Sequence, residues 1–248
     1  DPGFTTTPLH QVGFTPVYQP ESLRKSLGMQ ELWIKDESRN PSASFKDRAS
    51  ALVMARAIEA NFKTIIAAST GNAGAAMACM AASVGKQAVI IAPRSAPPAK
   101  VAQLLTFGAR VVLVDGTYDQ AFDLSIEASR EYGWYNRNTG YNPYTVEGKK
   151  TAGLEIWEQV LLKREDSAPK LTIFIPVGDG NILSGVAKGF ADLQSLGWIE
   201  KLPRLVGVQA EGSAAIYNAF KTGKDVIHPV DAKTVADSIC VDLPRDGL

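Results

Sequence analysis

The chain has 248 residues, 45% of them hydrophobic, and its 26 basic residues balance 26 acidic ones. That size and apolar content suffice for a substantial core, and the neutral balance gives no electrostatic reason to expect a nucleic acid or an anionic membrane surface as partner. The longest apolar runs, such as residues 171–177, are too short to span a bilayer and nothing reads as a signal peptide, so the cytoplasm is the expected compartment.

The segment before residue 62 holds Pro8, Pro16, Pro20 and Pro41, a short strand over 32–35 and a helix over about 46–60, and is not a βα repeat. From there on, short β-branched runs alternate with longer helical patterns. Strands are expected over 64–68, 87–92, 110–115, 134–138, 171–177 and 204–209, with helices near 72–84, 98–107, 118–132, 147–163, 181–196 and 213–221. This alternation is the signature of an α/β fold with parallel sheets wrapped by helices and right-handed crossovers. The Gly-, Asn- and Tyr-rich run 136–144 is the expected hinge or domain crossing. Cys79 and Cys240 have neither disulfide nor zinc spacing and are expected as buried small residues, while His10 and His228 are too few for a multi-histidine metal site, so no metal is expected. The chain begins at Asp1 and stops just after a turn-like run, 243–247, so terminal parts are expected to lie outside it.

Three loops carry chemistry. In Ser44-Phe45-Lys46-Asp47-Arg48 an amine stands where a Pro- and Ser-rich loop turns into a helix. The positive end of the helix disfavours the ammonium form there and keeps Lys46 closer to the nucleophilic state that Schiff-base chemistry requires. A lone lysine at such a place would read as a solvated first-turn residue. The loop Ser69-Thr70-Gly71-Asn72-Ala73-Gly74 follows a strand and opens a helix, a geometry that presents backbone amides to a carboxylate or phosphate; taken alone it is equally a tight strand-to-helix turn. The loop Gly178-Asp179-Gly180-Asn181 does the same after strand 171–177, with Asp179 an awkward neighbour for a phosphate. Neither loop completes a dinucleotide fingerprint. An activated lysine with one cradle for a cofactor phosphate and another for a substrate carboxylate is what pyridoxal phosphate chemistry needs.

Taken together, Thr7-Pro8-Leu9, the run 32–37, Asn40-Pro41 leading into 44–48, the run 69–74, Glu147-Gly148-Lys149-Lys150-Thr151 and the run 175–181 span essentially the whole chain. In this combination the sequence resembles the threonine synthase branch of the fold-type-II pyridoxal phosphate enzymes. The resemblance implies a cofactor-binding lysine at Lys46, with Phe45, Asn72, Gly178, Asp179, Gly180 and Asn181 around the cofactor. It implies Ser69, Thr70, Gly71, Asn72 and Ala73 as contacts to the substrate carboxylate, and Lys149 as a contact to a phosphorylated amino-acid substrate. It further implies two open parallel-sheet domains, a smaller mobile one over 47–145 and a larger one built from 1–46 and 146–248 that is incomplete at its carboxyl end, and a homodimer. The implied reaction converts O-phosphohomoserine and water to threonine and phosphate. Serine or threonine ammonia elimination, another β-replacement, or an inactive cofactor-binding paralogue are the alternatives. Two departures bear on the substrate: Thr145 stands where threonine synthases carry an arginine, for which Lys149 or Lys150 could substitute, and the Gly178–Asn181 loop is one residue shorter than the family's usual one.

Overall fold

The computed structural model describes residues 7–164, 170–223 and 225–244, so that 245–247 of the expected terminal turn lie outside the described residues. The leading segment contributes β1 (Val17–Tyr18) paired antiparallel with β2 (Ile34–Lys35), with α1 (Glu21–Ser26) between them. It then runs through a turn into α2 (Lys46–Glu59).

A four-stranded parallel sheet follows, built from β3 (Thr64–Ala68), β4 (Gln87–Pro93), β5 (Arg110–Val114) and β6 (Tyr135–Asn136) in the order β5-β4-β3-β6. Its crossover helices are α3 (Asn72–Ser83), α4 (Pro98–Thr106) and α5 (Tyr118–Glu131), the last opened by a capping box between Thr117 and Gln120. Strand alternation divides the buried residues between two faces. Ile65, Ala67 and Ile90 pack with Met54, Met77, Met80 and Leu104 from the helices on one side, whereas Ile66, Val89 and Ile91 pack with Ala121 and Phe122 of α5 on the other.

The rest of the chain forms α6 (Tyr144–Gln159), β7 (Thr172–Pro176), α7 (Asn181–Ser195), β8 (Arg204–Val208) and α8 (Ala215–Thr222), with β7 and β8 parallel and in register. Ala152, Ile175, Val186, Phe190 and Leu193 make its core. Strand 171–177 is apolar in sequence, but Phe174 is 66% exposed. Ile175 faces the core, whereas Phe174 and Pro176 on the opposite face border a cleft that no helix among the described residues fills. Helix α6 starts at Tyr144, three residues before the expected start, because Asn142 Oδ1 accepts from Tyr144 N at 3.0 Å and Pro143 fixes the entering backbone. The run 136–144 is a tightly bonded crossing. Asn138 Oδ1 accepts from Ala68 N at 2.8 Å, Asn138 Nδ2 donates to Ser125 Oγ at 2.6 Å, and Asn142 Nδ2 donates to Asn136 O at 2.8 Å. Cys79 is partly buried, whereas Cys240, expected inside, is exposed on the carboxyl-terminal strap.

Helices α2, α6 and α7 approach closely enough that their glycines are required. A Cβ on Gly148 would overlap the carbonyl oxygen of Arg48, one on Gly153 would lie 2.8 Å from Val186 O, and one on Gly185 would lie 2.6 Å from Lys149 Cβ. Helices α2 and α6 are further joined by Arg48, whose side chain is fully buried. Its guanidinium donates to Glu37 through Nε (2.7 Å) and Nη2 (2.8 Å), to Glu155 through Nη1 (2.6 Å) and Nη2 (2.8 Å), and to Thr151 Oγ1 at 2.8 Å. Lys35 Nζ adds a contact to Glu155 Oε2 at 2.8 Å. Burial opposes the charge on Glu155, but the hydrogen bonds and charge of Arg48 and Lys35 outweigh it and hold the carboxyl down to about 2. A depressed carboxyl contributes stability that is fully present above its unfolded value of 4.5 and is lost as pH falls toward 2. Glu155→Gln leaves Arg48 and Lys35 with Glu37 as the one carboxylate of the network, an uncompensated buried positive charge, and should destabilise the fold by about 3–5 kcal/mol. Denaturant unfolding across a pH series should show the variant losing less stability than the unmutated chain in that acid window.

Candidate active site

Lys46 is placed by the residues on either side of it. Asp47 is fully buried and accepts from Ser42 N at 2.7 Å and Ser42 Oγ at 2.5 Å, which folds the Pro- and Ser-rich turn back onto the helix start. Ser44 Oγ accepts from Lys46 N at 3.1 Å, and Ala43 holds a left-handed φ of 57°, a conformation that a non-glycine residue adopts only when its surroundings enforce it. Phe45 packs against the core of α6 and α7, with the Arg48 guanidinium 5.6 Å from its ring centre. Lys46 itself stays partly exposed. Burial of the amine lowers its pKa, repulsion from Arg137 lowers it further, and Asp179 opposes both. The sequence reading attributes activation to the helix end; in the folded chain desolvation is the larger cause, with a second cation behind it.

The loop 69–74 connects β3 to α3, whose N-cap residue, Gly71, has no side chain, so capping falls to a residue earlier in the loop. Ser69, expected as a substrate contact, is buried, and its Oγ accepts from Gly71 N at 3.2 Å and Gly74 N at 2.9 Å, so it shapes the loop. Thr70, Gly71 and Ala73 remain partly exposed at its rim, and Asn72 is exposed with its Nδ2 donating to Ser238 Oγ at 3.2 Å. The loop 178–181 connects β7 to α7. Gly180 takes a left-handed φ of 88° there, and α7 lacks a side-chain cap. Asp179 lies near enough to Lys46 to favour its protonated form.

Lys149 is 2% exposed and its Nζ donates to Asn181 Oδ1, so the structure brings it to the loop at the start of α7. Lys150 points elsewhere, pairing with Glu147 at 2.9 Å and Asp192 at 2.8 Å. Thr145 is buried and bonded to Asn142 O at 2.8 Å. Phe45, Lys46 and Asn72 open into a cleft of about 1200 Å³ that the strap residues Asp237, Ser238 and Ile239 also line.

Sequence reasoning missed two features. Arg137 follows β6 and is 1% exposed, and burial pulls its pKa down to about 10, so it stays charged at neutral pH. Its place at the carboxyl end of an expected strand was the available signal. The strap 237–241 has no periodicity to announce it. Ser213 anchors it, accepting from Val241 N at 2.9 Å and donating toward Ile239 O and Val241 O, and this brings Ile239 against Gly178.

The family model described as pyridoxal-phosphate dependent enzyme matches residues 9–247. The chain is 36% identical over 234 residues to a threonine synthase of Methanocaldococcus jannaschii and 37% identical over 236 residues to one of Methanosarcina acetivorans. Each match covers 94% of this chain, which spans only 56% and 57% of the respective relatives. Among solved structures it is similar to a processed threonine deaminase isoform 2 of Solanum lycopersicum, with a TM-score of 0.79 and 26% identity over 98% of this chain and 65% of that one. It is also similar to a maize serine racemase, with a TM-score of 0.78 and 26% identity over 94% of this chain and 68% of that one. With its lysine, its two helix-opening loops and a match that runs almost end to end, the chain belongs to the pyridoxal-phosphate dependent enzyme family.

Proposed function

We propose that the protein of which this chain is part is a lyase that makes threonine and phosphate from O-phosphohomoserine and water, with Lys46 holding the cofactor. The observation that supports this best is the setting of one amine: Lys46 Nζ is kept below its ordinary pKa by burial, between two glycine-rich loops that each lead into a helix with glycine at its N-cap.

The donor set fits pyridoxal phosphate. Gly180 turns the backbone so that the first-turn amides of α7 converge on the loop, and Lys149 brings a buried cation beside them, which suits a dianionic phosphate. When bound, the pyridoxal ring supplies an electron sink for the charge that develops at the substrate Cα. The protein's part is position and proton traffic. The amides of loop 69–73 orient the substrate carboxylate, so that the Cα–H bond faces Lys46. Released by the substrate amine, Lys46 Nζ takes the Cα proton and then moves protons at Cβ while phosphate leaves from Cγ and water adds at Cβ. Asp179, whose charge favours the ammonium form, steadies the amine while it carries a proton. Within residues 47–145, the smaller domain in this reading, the sheet around β3 and its crossover helices would close over the cleft and exclude water, while α2 stays bound to α6 through Arg48.

Thr145 in place of the arginine carried by the enzymes this chain resembles favours a second reading, ammonia elimination from serine or threonine. Product analysis on the full-length protein separates them. Threonine and inorganic phosphate should form from O-phosphohomoserine, and Lys46→Ala should abolish both the visible absorbance and turnover; 2-oxobutanoate from threonine without threonine synthesis would establish the second reading. Lys149→Met removes the cation beside the phosphate loop and should weaken pyridoxal phosphate binding by about 10- to 100-fold, measured by equilibrium dialysis.

A further inference from the structure

Arg137 is an unusual resident of the interior. Its Nε donates to Ser50 Oγ at 3.3 Å and its Nη1 to Thr139 Oγ1 at 3.0 Å, while Nη2 is buried with no hydrogen-bond partner. Two groups attract it at longer range than an ion pair, the Tyr118 phenol more than the Asp47 carboxylate, and the Asp47 carboxylate is already bonded to Ser42. A buried guanidinium with an open donor and no paired carboxylate is costly, and an anion is the ligand that would satisfy it.

Its position says which anion. Arg137 N donates to Ile66 O at 2.9 Å, and the next residue, Asn138, accepts from Ala68 N, so the side chain leaves β6 beside the point where β3 gives way to loop 69–74. Open α/β sheets bind ligands in this crevice, outside the carboxyl ends of the strands. Ser50 lies one helical turn beyond Lys46, on the same face of α2, which brings the guanidinium to the side of the helix that carries the reactive amine. The two other anion positions are otherwise provided for: loop 69–73 and the start of α3 for a carboxylate, loop 178–181 with Lys149 for the cofactor phosphate.

We propose that Arg137 is a specificity-determining residue that receives a terminal oxyanion on the side chain of the amino-acid substrate, a third anion beyond the α-carboxylate and the cofactor phosphate. The inference rests on the reading of Lys46 as the cofactor lysine. It moves recognition of the side-chain phosphate from α6, where Thr145 replaces the family's arginine and Lys149 faces Asn181, to the end of β6. A guanidinium suits this task because its fork can meet two oxygens at once.

The test is calorimetric binding of the phosphonate analogue of O-phospho-L-homoserine, whose carbon–phosphorus bond keeps phosphate from leaving, and of L-homoserine to the full-length, cofactor-loaded protein. The unmutated protein should prefer the phosphonate by about 100-fold, the scale of a charge-assisted hydrogen-bonded contact. Arg137→Gln should remove most of that preference and leave L-homoserine binding within about threefold, with Arg137→Lys intermediate because it keeps the charge and loses the fork. Equal loss for both ligands would mean a structural role and overturn the proposal. Absence of any preference in the unmutated protein overturns it as well, without a variant having to fold. Visible absorbance separates the two readings: a coloured protein without preference defeats the Arg137 assignment alone, and a colourless one defeats both.

Discussion

The buried pairing of Arg48 with Glu37 and Glu155 is the constraint on which the rest of the site depends. Two residues before it stands Lys46, and Glu155 and Thr151 lie on the helix that also carries Lys149. One guanidinium therefore sets the start of α2 against the middle of α6 and ties both to the leading segment through Glu37 and Thr15. With Lys35, the network holds two cations and two carboxylates, so it is neutral as a unit and every charge in it has hydrogen-bond partners. That balance is what makes so much charge tolerable in the interior.

Around Lys46 the charges are arranged differently. Arg137 pushes the amine toward neutrality and Asp179 pulls it back. Burial, the largest influence, also favours the neutral form, so Arg137 acts with it and Asp179 against both. The helix ends supply the complementary field: α3 and α7 both have glycine at the N-cap, and of the first-turn amides of α3 that of Gly74 is taken up by Ser69 Oγ.

The strands and long helices were legible because buried β-branched runs and glycine-opened helices leave strong local patterns; β3, β5 and β7 lie within a residue of their expected limits. β1 and α1 were not legible, being two and six residues long and held by pairing and context. The positions of both glycine-containing loops, each between a strand end and a helix start, could be read because small residues next to a strand end have few other uses. The exposure of Phe174 could not, because whether an apolar strand is covered depends on what lies across from it. Arg137 and Ser238 were missed for a related reason. Their significance comes from neighbours more than 80 residues away in the chain, Ser50 for one and Asn72 for the other, and no local period encodes such a meeting.

The glycine contacts between helices give the site a fixed length. Where backbone meets backbone, at Gly148 against α2 and at Gly153 and Gly185 between α6 and α7, no side chain can change rotamer to absorb a shift. The three helices thus behave as one stiff bracket, with Lys46 at one end and the α7 loop at the other. Such a bracket acts as a ruler: the span between Lys46 and Gly180 is set by backbone contacts, so repacking of side chains elsewhere in the chain leaves it unchanged.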